Sequence, residues 1–434
     1  MSFFPITSSK SLVDARIDYV FLLVLVKKAY ASFLSYLRTV PKRAAGPACH
    51  SRFLRLFLPE ENFLKQLKIV VLCGGLSTER NISFLTGSRV CTALRSRGHK
   101  AVLADLYMGF DEADDADSFD PEALFENLPP IPEYSFDGQA PDLEAVKRSR
   151  KWQSPSKFGK HVIELCSAAD IVFIALHGKN GEDGSVQAAF DMLGIPYTGS
   201  GHLGAAMAMD KMITKMIVGP RGVRTPAFRR WEFIRGEGTK HTGKTDEMDR
   251  FIRSVCRQTA VPCVVKTPDG GSSVGVYIVH RKEDLANAVR ECLSFGNAFM
   301  TEQYIDGREF TCGTLCGQAL PSVEIVPKIN FYDYSNKYKA GATEEICPGR
   351  VKPEIEKEMG MIALQVHEIM GLSTYSRCDF MIDREDKVWF IEVNTLPGMT
   401  QTSLVPQEAA VVGIGYEDLC EKIVEDGLKL RGRK

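Results

Sequence analysis

The sequence predicts an α/β domain followed by α+β lobes. Three observations carry that expectation. Short, wholly apolar runs such as Lys68-Ile69-Val70-Val71-Leu72-Cys73 and residues 170–176 suit buried parallel strands. The first run ends at Gly74-Gly75, a helical stretch follows, and a second apolar run begins at 101, which is the order of a βαβ unit. From about residue 209 the strands shorten and alternate with helices less regularly, as in α+β arrangements.

Each element has a local reason. Ser77 is placed to cap a helix that stops at Gly98. Residues 111 to about 156 are acidic, carry Pro129-Pro130 and lack periodicity, so they read as an inserted loop or hairpin. A helix through Lys211 and Lys215 runs into Gly219-Pro220. Residues 235–247 are polar and Gly-rich, a surface loop by composition. Strands are expected at 262–266, 274–279 and 299–305, with a helix near 283–293. The last third alternates strands (309–315, 323–326, 378–382, 388–393) with helices (354–370, 416–430). Expected boundaries are an extension at 1–66, an α/β domain at 67–208, a central lobe at 209–309 and a C-terminal lobe at 310–434.

With 434 residues, 44% hydrophobic and 25% charged, the chain has room for several cores. A formal net charge of −1 gives no sign of a nucleic-acid partner. The 12 cysteines are scattered, with no Cys-x-x-Cys pair, so reduced thiols of a cytoplasmic protein are expected. Residues 1–66 differ: ten Lys/Arg against four acids, around the run Tyr19-Val20-Phe21-Leu22-Leu23-Val24-Leu25-Val26. That run is too short for a bilayer, which needs roughly twenty residues, so no membrane partner is expected. The segment reads as an amphipathic or disordered extension, with an organellar address as the alternative.

The chemistry concentrates late in the chain. Asp379 lies on one apolar run, and Glu392 and Asn394 lie on the next. Residues two apart on a strand share a face, so paired runs bring three hard oxygen donors together. Without His or Cys, such a set suits Mg²⁺, which also takes phosphate and water. Lys266-Thr267-Pro268-Asp269-Gly270-Gly271-Ser272-Ser273-Val274-Gly275 puts a lysine before a loop of small residues. Such a loop either lays N–H groups over polyphosphate or simply turns a hairpin. Lys211 and Lys266 are candidate phosphate partners. Thr301-Glu302-Gln303-Tyr304-Ile305, ahead of Gly307-Arg308-Glu309, is either a nucleotide-binding linker or a plain turn. Residues 331–339, rich in aromatics, form either a lid or a packed loop. His177 ends a strand ahead of the Gly-rich turn 178–184, where open α/β sheets bind ligands; a satisfied loop histidine is the alternative.

Together these segments resemble the D-alanine–D-alanine ligase family of the ATP-grasp superfamily, from about residue 68 to about 429. The resemblance rests on an ordered series. It comprises Gly74-Gly75 with Ser77 and Glu79, His177-Gly178 with Gly181-Glu182-Asp183-Gly184, and Pro196-Tyr197-Thr198-Gly199. It continues with Met209-Asp210-Lys211 and Lys215, Gly271–Gly275, Tyr332–Tyr338, and Glu392–Thr400 with Ser403-Leu404. It implies three lobes with an N-terminal Rossmann-like domain, and ATP with two Mg²⁺ ions, Mn²⁺ being an acceptable substitute. Two D-alanines would be joined through a D-alanyl phosphate, giving the dipeptide used in peptidoglycan. Under that resemblance Asp379, Glu392 and Asn394 hold the metals, and Lys211, Lys266 and Lys337 neutralise phosphates. Ser273 belongs to the nucleotide set. Glu302 and the backbone of Gln303, Tyr304 and Ile305 meet adenine, and Glu309 meets ribose. Glu79 pairs with the first D-alanine's ammonium, and Arg377 and the Gly398 N–H stabilise the oxyanion. Ser272 and Tyr338 join Glu79 in closing the lid. His177 and Tyr332 lie near the substrates, and Ser403 and Leu404 receive the second carboxylate. Tyr338 favours an amine as second substrate; D-Ala–D-Ser and D-Ala–D-Lac ligases stay open as alternatives, as does a non-catalytic sensor of the same fold. A homodimer is expected. Thr267 and Ala205 depart from the residues usual there.

Overall fold

The computed structural model describes residues 65–110, 119–135, 140–234, 244–270, 274–327 and 343–432. The expected extension at 1–66 therefore lies almost wholly outside the described residues.

The first sheet is parallel, in the order β2 (Lys100–Asp105), β1 (Lys68–Cys73), β3 (Ile171–Ile174). Residues 69–73 and all of β3 are buried, which is why these strands read as unbroken apolar runs. Helix α1 (Arg80–Ser96) makes the crossover. It starts later than expected: Glu79 is the N-cap residue, and Ser77 does another job. The Ser77 hydroxyl donates to the His177 carbonyl at 2.8 Å and accepts from the Glu79 N–H at 3.2 Å. Gly98, at φ +86°, ends the turn after the helix as expected.

The described residues of the insertion include two short helices, not only a loop or hairpin: α2 (Pro121–Glu126) and α3 (Leu143–Ser149). Asp120 and Asp142 cap them by accepting from N–H groups of their first turns, and Pro121 opens α2. Buried Arg150 closes the insertion, donating to the Ser156 and Phe158 carbonyls at 2.8 Å each, with its guanidinium over the Tyr107 ring. Three more helices, α4 (Val162–Ala168), α5 (Ser185–Leu193) and α6 (His202–Met209), complete this part.

Helix α7 (Lys211–Val218) is capped by Asp210, whose carboxylate accepts from the Met212 and Ile213 N–H groups. An antiparallel sheet follows in the order β4 (Phe228–Glu232), β7 (Ala298–Gln303), β5 (Cys263–Lys266), β6 (Val276–Val279). Helices α8 (Lys244–Gln258) and α9 (Leu285–Phe295) cover it, around Trp231, Ile252, Val265, Val289 and Phe299. Helix α8 starts inside the stretch expected to be loop; of that stretch, 235–243 lies outside the described residues.

The third sheet runs β11 (Thr343–Ile346), β10 (Val323–Pro327), β8 (Gly307–Leu315), β12 (Tyr375–Asp383), β13 (Val388–Asn394), with short β9 (Gln318–Ala319) on β8. Helix α10 (Pro353–Ile369) packs Met359, Ala363 and Val366 against Phe310, Cys378, Phe380 and Phe390. Helix α11 (Leu404–Val411) lies across β8 and sets Leu404 on Val323 and Ile325. Helix α12 (Tyr416–Arg431) returns to the first sheet, where Leu419, Cys420, Ile423 and Val424 join the core around β1 and β3.

All described cysteines are free thiols. No described helix is long and apolar enough to cross a membrane.

Candidate active site

The pairing expected of the two late strands is present. β12 and β13 are antiparallel neighbours, with Asp379 directly opposite Glu392 and Arg377 opposite Asn394. A bulge follows Asp379, so that Phe380 pairs with Phe390 and Ile391 is the extra residue. This break in alternation lets Phe390 and Val393 both face the core while Glu392 and Asn394 share the open face.

Arg377 and Asp379, two apart on β12, share that face and pair in a two-pronged contact. The guanidinium donates from Nε to Oδ1 at 2.8 Å and from the terminal nitrogen to Oδ2 at 3.0 Å. The Asn394 amide also donates to Asp379 Oδ2, at 3.1 Å. Lys211, at the start of α7, reaches across to Glu392 Oε2 at 3.0 Å and donates to the Gly270 carbonyl at 2.5 Å. Burial works against the Lys211 charge, but Glu392, helped by Glu182 and Asp379, outweighs it and raises the pKa.

Four residues along α7, Lys215 occupies a second ionic cluster. Glu302 lies buried between two lysines, with Lys215 at 2.6 Å from one carboxylate oxygen and Lys266 at 2.6 Å from the other. Lys215 also donates to the Thr225 hydroxyl at 2.6 Å and to the Phe390 carbonyl at 3.4 Å. Burial pushes its pKa down to about 8, with the Lys266 charge in the same direction and Glu302 opposing. For Glu302, burial favours the neutral acid, but the two lysines prevail and lower its pKa.

The first domain contributes a third group. Glu79, mostly buried at the start of α1, sets its carboxylate against Gly178, where an added Cβ would lie 2.8 Å from Glu79 Oε2. Gly178 also has φ +67°, so a side chain there is barred twice. His177 bridges two regions: Nε2 meets the Thr86 hydroxyl at 2.8 Å, and Nδ1 meets the Leu396 carbonyl at 3.2 Å. A carbonyl only accepts, so Nδ1 carries the proton on that side. Leu396 leads to Gly398, which packs on Ser403; a Cβ at 398 would meet Ser403 Oγ at 2.9 Å. The Ser403 hydroxyl accepts from the Thr400 N–H at 3.0 Å and so shapes the turn ahead of α11.

The structure thus gathers Asp379, Glu392, Asn394, Arg377 and Lys211 into one cluster, and Lys266 and Glu302 into the adjoining one. Gln303 is exposed and spends its N–H on the Ala227 carbonyl at 2.8 Å, which removes that donor from an adenine contact. Tyr304 packs edge-on against His280, and Ile305 is buried. Glu309 pairs with Met381, two beyond Asp379, and so faces the same side. Ser272, Ser273, Tyr332, Lys337 and Tyr338 lie outside the described residues. Sequence reasoning gave Lys215 no role, although its spacing from Lys211 puts both on one helix face. It also missed Glu408 and Glu345, described below.

Among the described residues no cluster of three or more His, Cys, Asp or Glu could grip a metal alone. Two carboxylates and an amide on one face fit an ion that takes its other ligands from phosphate and water.

Comparison with known proteins agrees with this architecture. The family model for D-ala D-ala ligase N-terminus matches residues 68–200, and that for D-ala D-ala ligase C-terminus matches 231–425. The chain is 38% identical over 365 residues to a D-alanine–D-alanine ligase of Lacticaseibacillus casei (strain BL23), covering 84% of this chain and 96% of that one. A D-alanine–D-alanine ligase of Pediococcus pentosaceus is also 38% identical, over 84% of this chain and 98% of its own. Among solved structures, D-alanine–D-alanine ligase from Bacillus anthracis complexed with ATP superposes with TM-score 0.60 at 27% identity, covering 84% of this chain and 98% of that one.

Proposed function

The chain belongs to the D-alanine–D-alanine ligase family and has the ATP-grasp fold, and from that premise we propose how its own residues carry the reaction. It is an ATP-dependent ligase that joins two D-alanines. The carboxylate of the first attacks the γ-phosphate of ATP, and the amine of the second displaces phosphate from the D-alanyl phosphate.

Asp379, Glu392 and Asn394 would hold magnesium, which would supply charge neutralisation to the phosphates. Lys211 and Lys266 bind phosphate oxygens, with Lys337 and Ser273 completing the nucleotide set. Glu302, expected to meet adenine, is buried with its two carboxylate oxygens on Lys215 and Lys266, so its role here would be to fix those lysines. Tyr304 and Ile305 offer backbone to adenine, and Glu309 binds ribose hydroxyls. Glu79 receives the ammonium of the first D-alanine, near His177. Arg377 and the Gly398 N–H stabilise the oxyanion, a contribution of about 3 to 4 kcal/mol per donor. Ser403 and Leu404 hold the second carboxylate. By the family resemblance Ser272 and Tyr338 would join Glu79 in keeping water from the acyl phosphate, and Tyr332 would serve the substrates. The domain boundaries near 209 and 309, a homodimer, a cytoplasmic location and a place in peptidoglycan precursor synthesis belong to the same reading.

The observation that carries it is the register of Asp379 opposite Glu392, with Arg377 and Lys211 in hydrogen-bonding contact with them. The test is product identification by mass spectrometry after incubating Mg-ATP with D-alanine, D-serine, D-lactate or L-alanine. The reading requires D-alanyl-D-alanine from D-alanine and no product from L-alanine. A depsipeptide or a mixed D-Ala–D-Ser product as the main species would reassign the second substrate.

A further inference from the structure

Glu345 stands on the active face of the third sheet, and the roles assigned above leave it without a task. The register places it. Glu345 on β11 pairs with Ile325 on β10, Ile325 with Glu309 on β8, and Glu309 with Met381 on β12. Residues opposite one another across a sheet project to the same side, as do residues two apart on one strand. Glu345, Glu309, Asp379 and Arg377 therefore share one face.

Helix α11 then fixes the Glu345 carboxylate. The Gln407 amide donates to Glu345 Oε2 at 2.6 Å and to the Thr402 carbonyl at 2.8 Å. One side chain thus ties Glu345 to the turn that shapes Ser403. The Arg377 charge also acts on Glu345. The carboxylate thus shares a face with the guanidinium assigned to the oxyanion and is hydrogen-bonded to the helix that follows the turn assigned to the second carboxylate. That is where the amine of the second D-alanine must arrive.

The chemistry of that step needs a base. An amino acid near neutral pH carries an ammonium, which has no lone pair to attack with. We propose that Glu345 is the catalytic carboxylate that binds the ammonium of the acceptor D-alanine and takes a proton from it as the amine attacks the D-alanyl phosphate. This rests on the ligase reading above. One N–H bond breaks and its proton moves to a Glu345 oxygen. The nitrogen lone pair forms the C–N bond. The C–O bond to phosphate breaks with its electron pair on phosphate, which carries off the second ammonium proton. The third hydrogen stays on the new amide.

The surroundings suit a base. Burial raises the Glu345 pKa, while the Gln407 hydrogen bond and the Arg377 charge pull the other way. A carboxylate of raised pKa takes a proton more readily. On its face stand Arg377 on β12, Glu309 on β8 and the apolar Ile325 on β10; Glu408, next to Gln407 on α11, is buried.

The test compares wild type, Glu345→Gln and Glu345→Asp as full chains with ATP, Mg²⁺ and D-alanine, with and without hydroxylamine. Hydroxylamine is unprotonated at neutral pH and traps an acyl phosphate without help from a base. Glu345→Gln should cut dipeptide formation by about 100-fold or more, while trapping of D-alanyl phosphate stays within about threefold of wild type. The deficit should shrink as pH rises and the acceptor sheds its own proton, and Glu345→Asp should recover part of the rate. Dipeptide formation by Glu345→Gln within about threefold of wild type would overturn the inference. So would a parallel loss of trapping and dipeptide formation, which marks a structural role. A wild-type protein that traps no acyl phosphate and makes no dipeptide would overturn the ligase reading itself, and this inference with it.

Discussion

Lys211 on α7 and Glu392 on β13 form an ion pair of 3.0 Å that joins two separately built elements across the site. The pair balances charge before a nucleotide arrives. Under the proposed function, phosphate oxygens would compete for the ammonium and magnesium for the carboxylate.

Removing the ammonium should therefore weaken nucleotide binding and leave Glu392 in place. Lys211→Ala should raise the dissociation constant for a non-hydrolysable ATP analogue by about 10- to 100-fold, the range of a charged hydrogen bond. Calorimetric titration measures it. An unchanged constant would leave Lys211 as a partner of Glu392 alone.

Lys215 and Glu302 should behave as a unit. Both are buried, and Lys215→Met leaves Glu302 with Lys266 as its remaining lysine partner. Breaking one side of such a buried pair costs about 3 to 5 kcal/mol of stability. The double variant Lys215→Met with Glu302→Gln should lose less than the sum of the single losses, since no carboxylate remains stranded. Urea denaturation of the four proteins gives the coupling, and additivity would contradict it.

Glu408 supplies a pH prediction. Its side chain is fully buried on α11, close against Gly313, where a Cβ would meet Glu408 Oε2 at 2.2 Å. Burial pushes its pKa well above the usual carboxylate range, against the opposing Arg377 charge and the Gly313 backbone. The sign follows from proton counting. Between the ordinary glutamate value and the raised one, the folded state holds a proton that the unfolded state has released. Over that window stability falls as pH rises, by about 1.4 kcal/mol per pH unit from this group. Glu408→Gln removes the dependence, so its stability relative to wild type should grow with pH from about 5 upward. Parallel pH curves for the two proteins would show that the carboxyl ionises in the fold.

Strand positions were legible where apolar runs were short and followed within a few residues by Gly or Pro, as at β1, β3 and β13. The meeting of Asp379, Glu392 and Asn394 was legible because Glu392 and Asn394 are two apart on one strand. Helices α2 and α3 were overlooked although Asp120-Pro121 and Asp142 are capping signals, because the acidic, Pro-bearing composition around them looked unstructured. Ser77 looked like a cap, but its hydroxyl serves the His177 carbonyl, a partner a hundred residues away. The same limit hid Glu345 and Glu408. Nothing local marks either residue; what places them is the pairing of β11 with β10 and the path of α11 over β8.

The most direct test of the central claim, that Asp379 and Glu392 together carry the Mg-ATP that activates D-alanine, is phosphate release by wild type and Glu392→Ala. Wild type should release phosphate from Mg-ATP only when D-alanine is present, one for each dipeptide made, and Glu392→Ala should release none above background. Near-normal turnover by Glu392→Ala, or nucleotide binding by wild type with no D-alanine-dependent release, would contradict it.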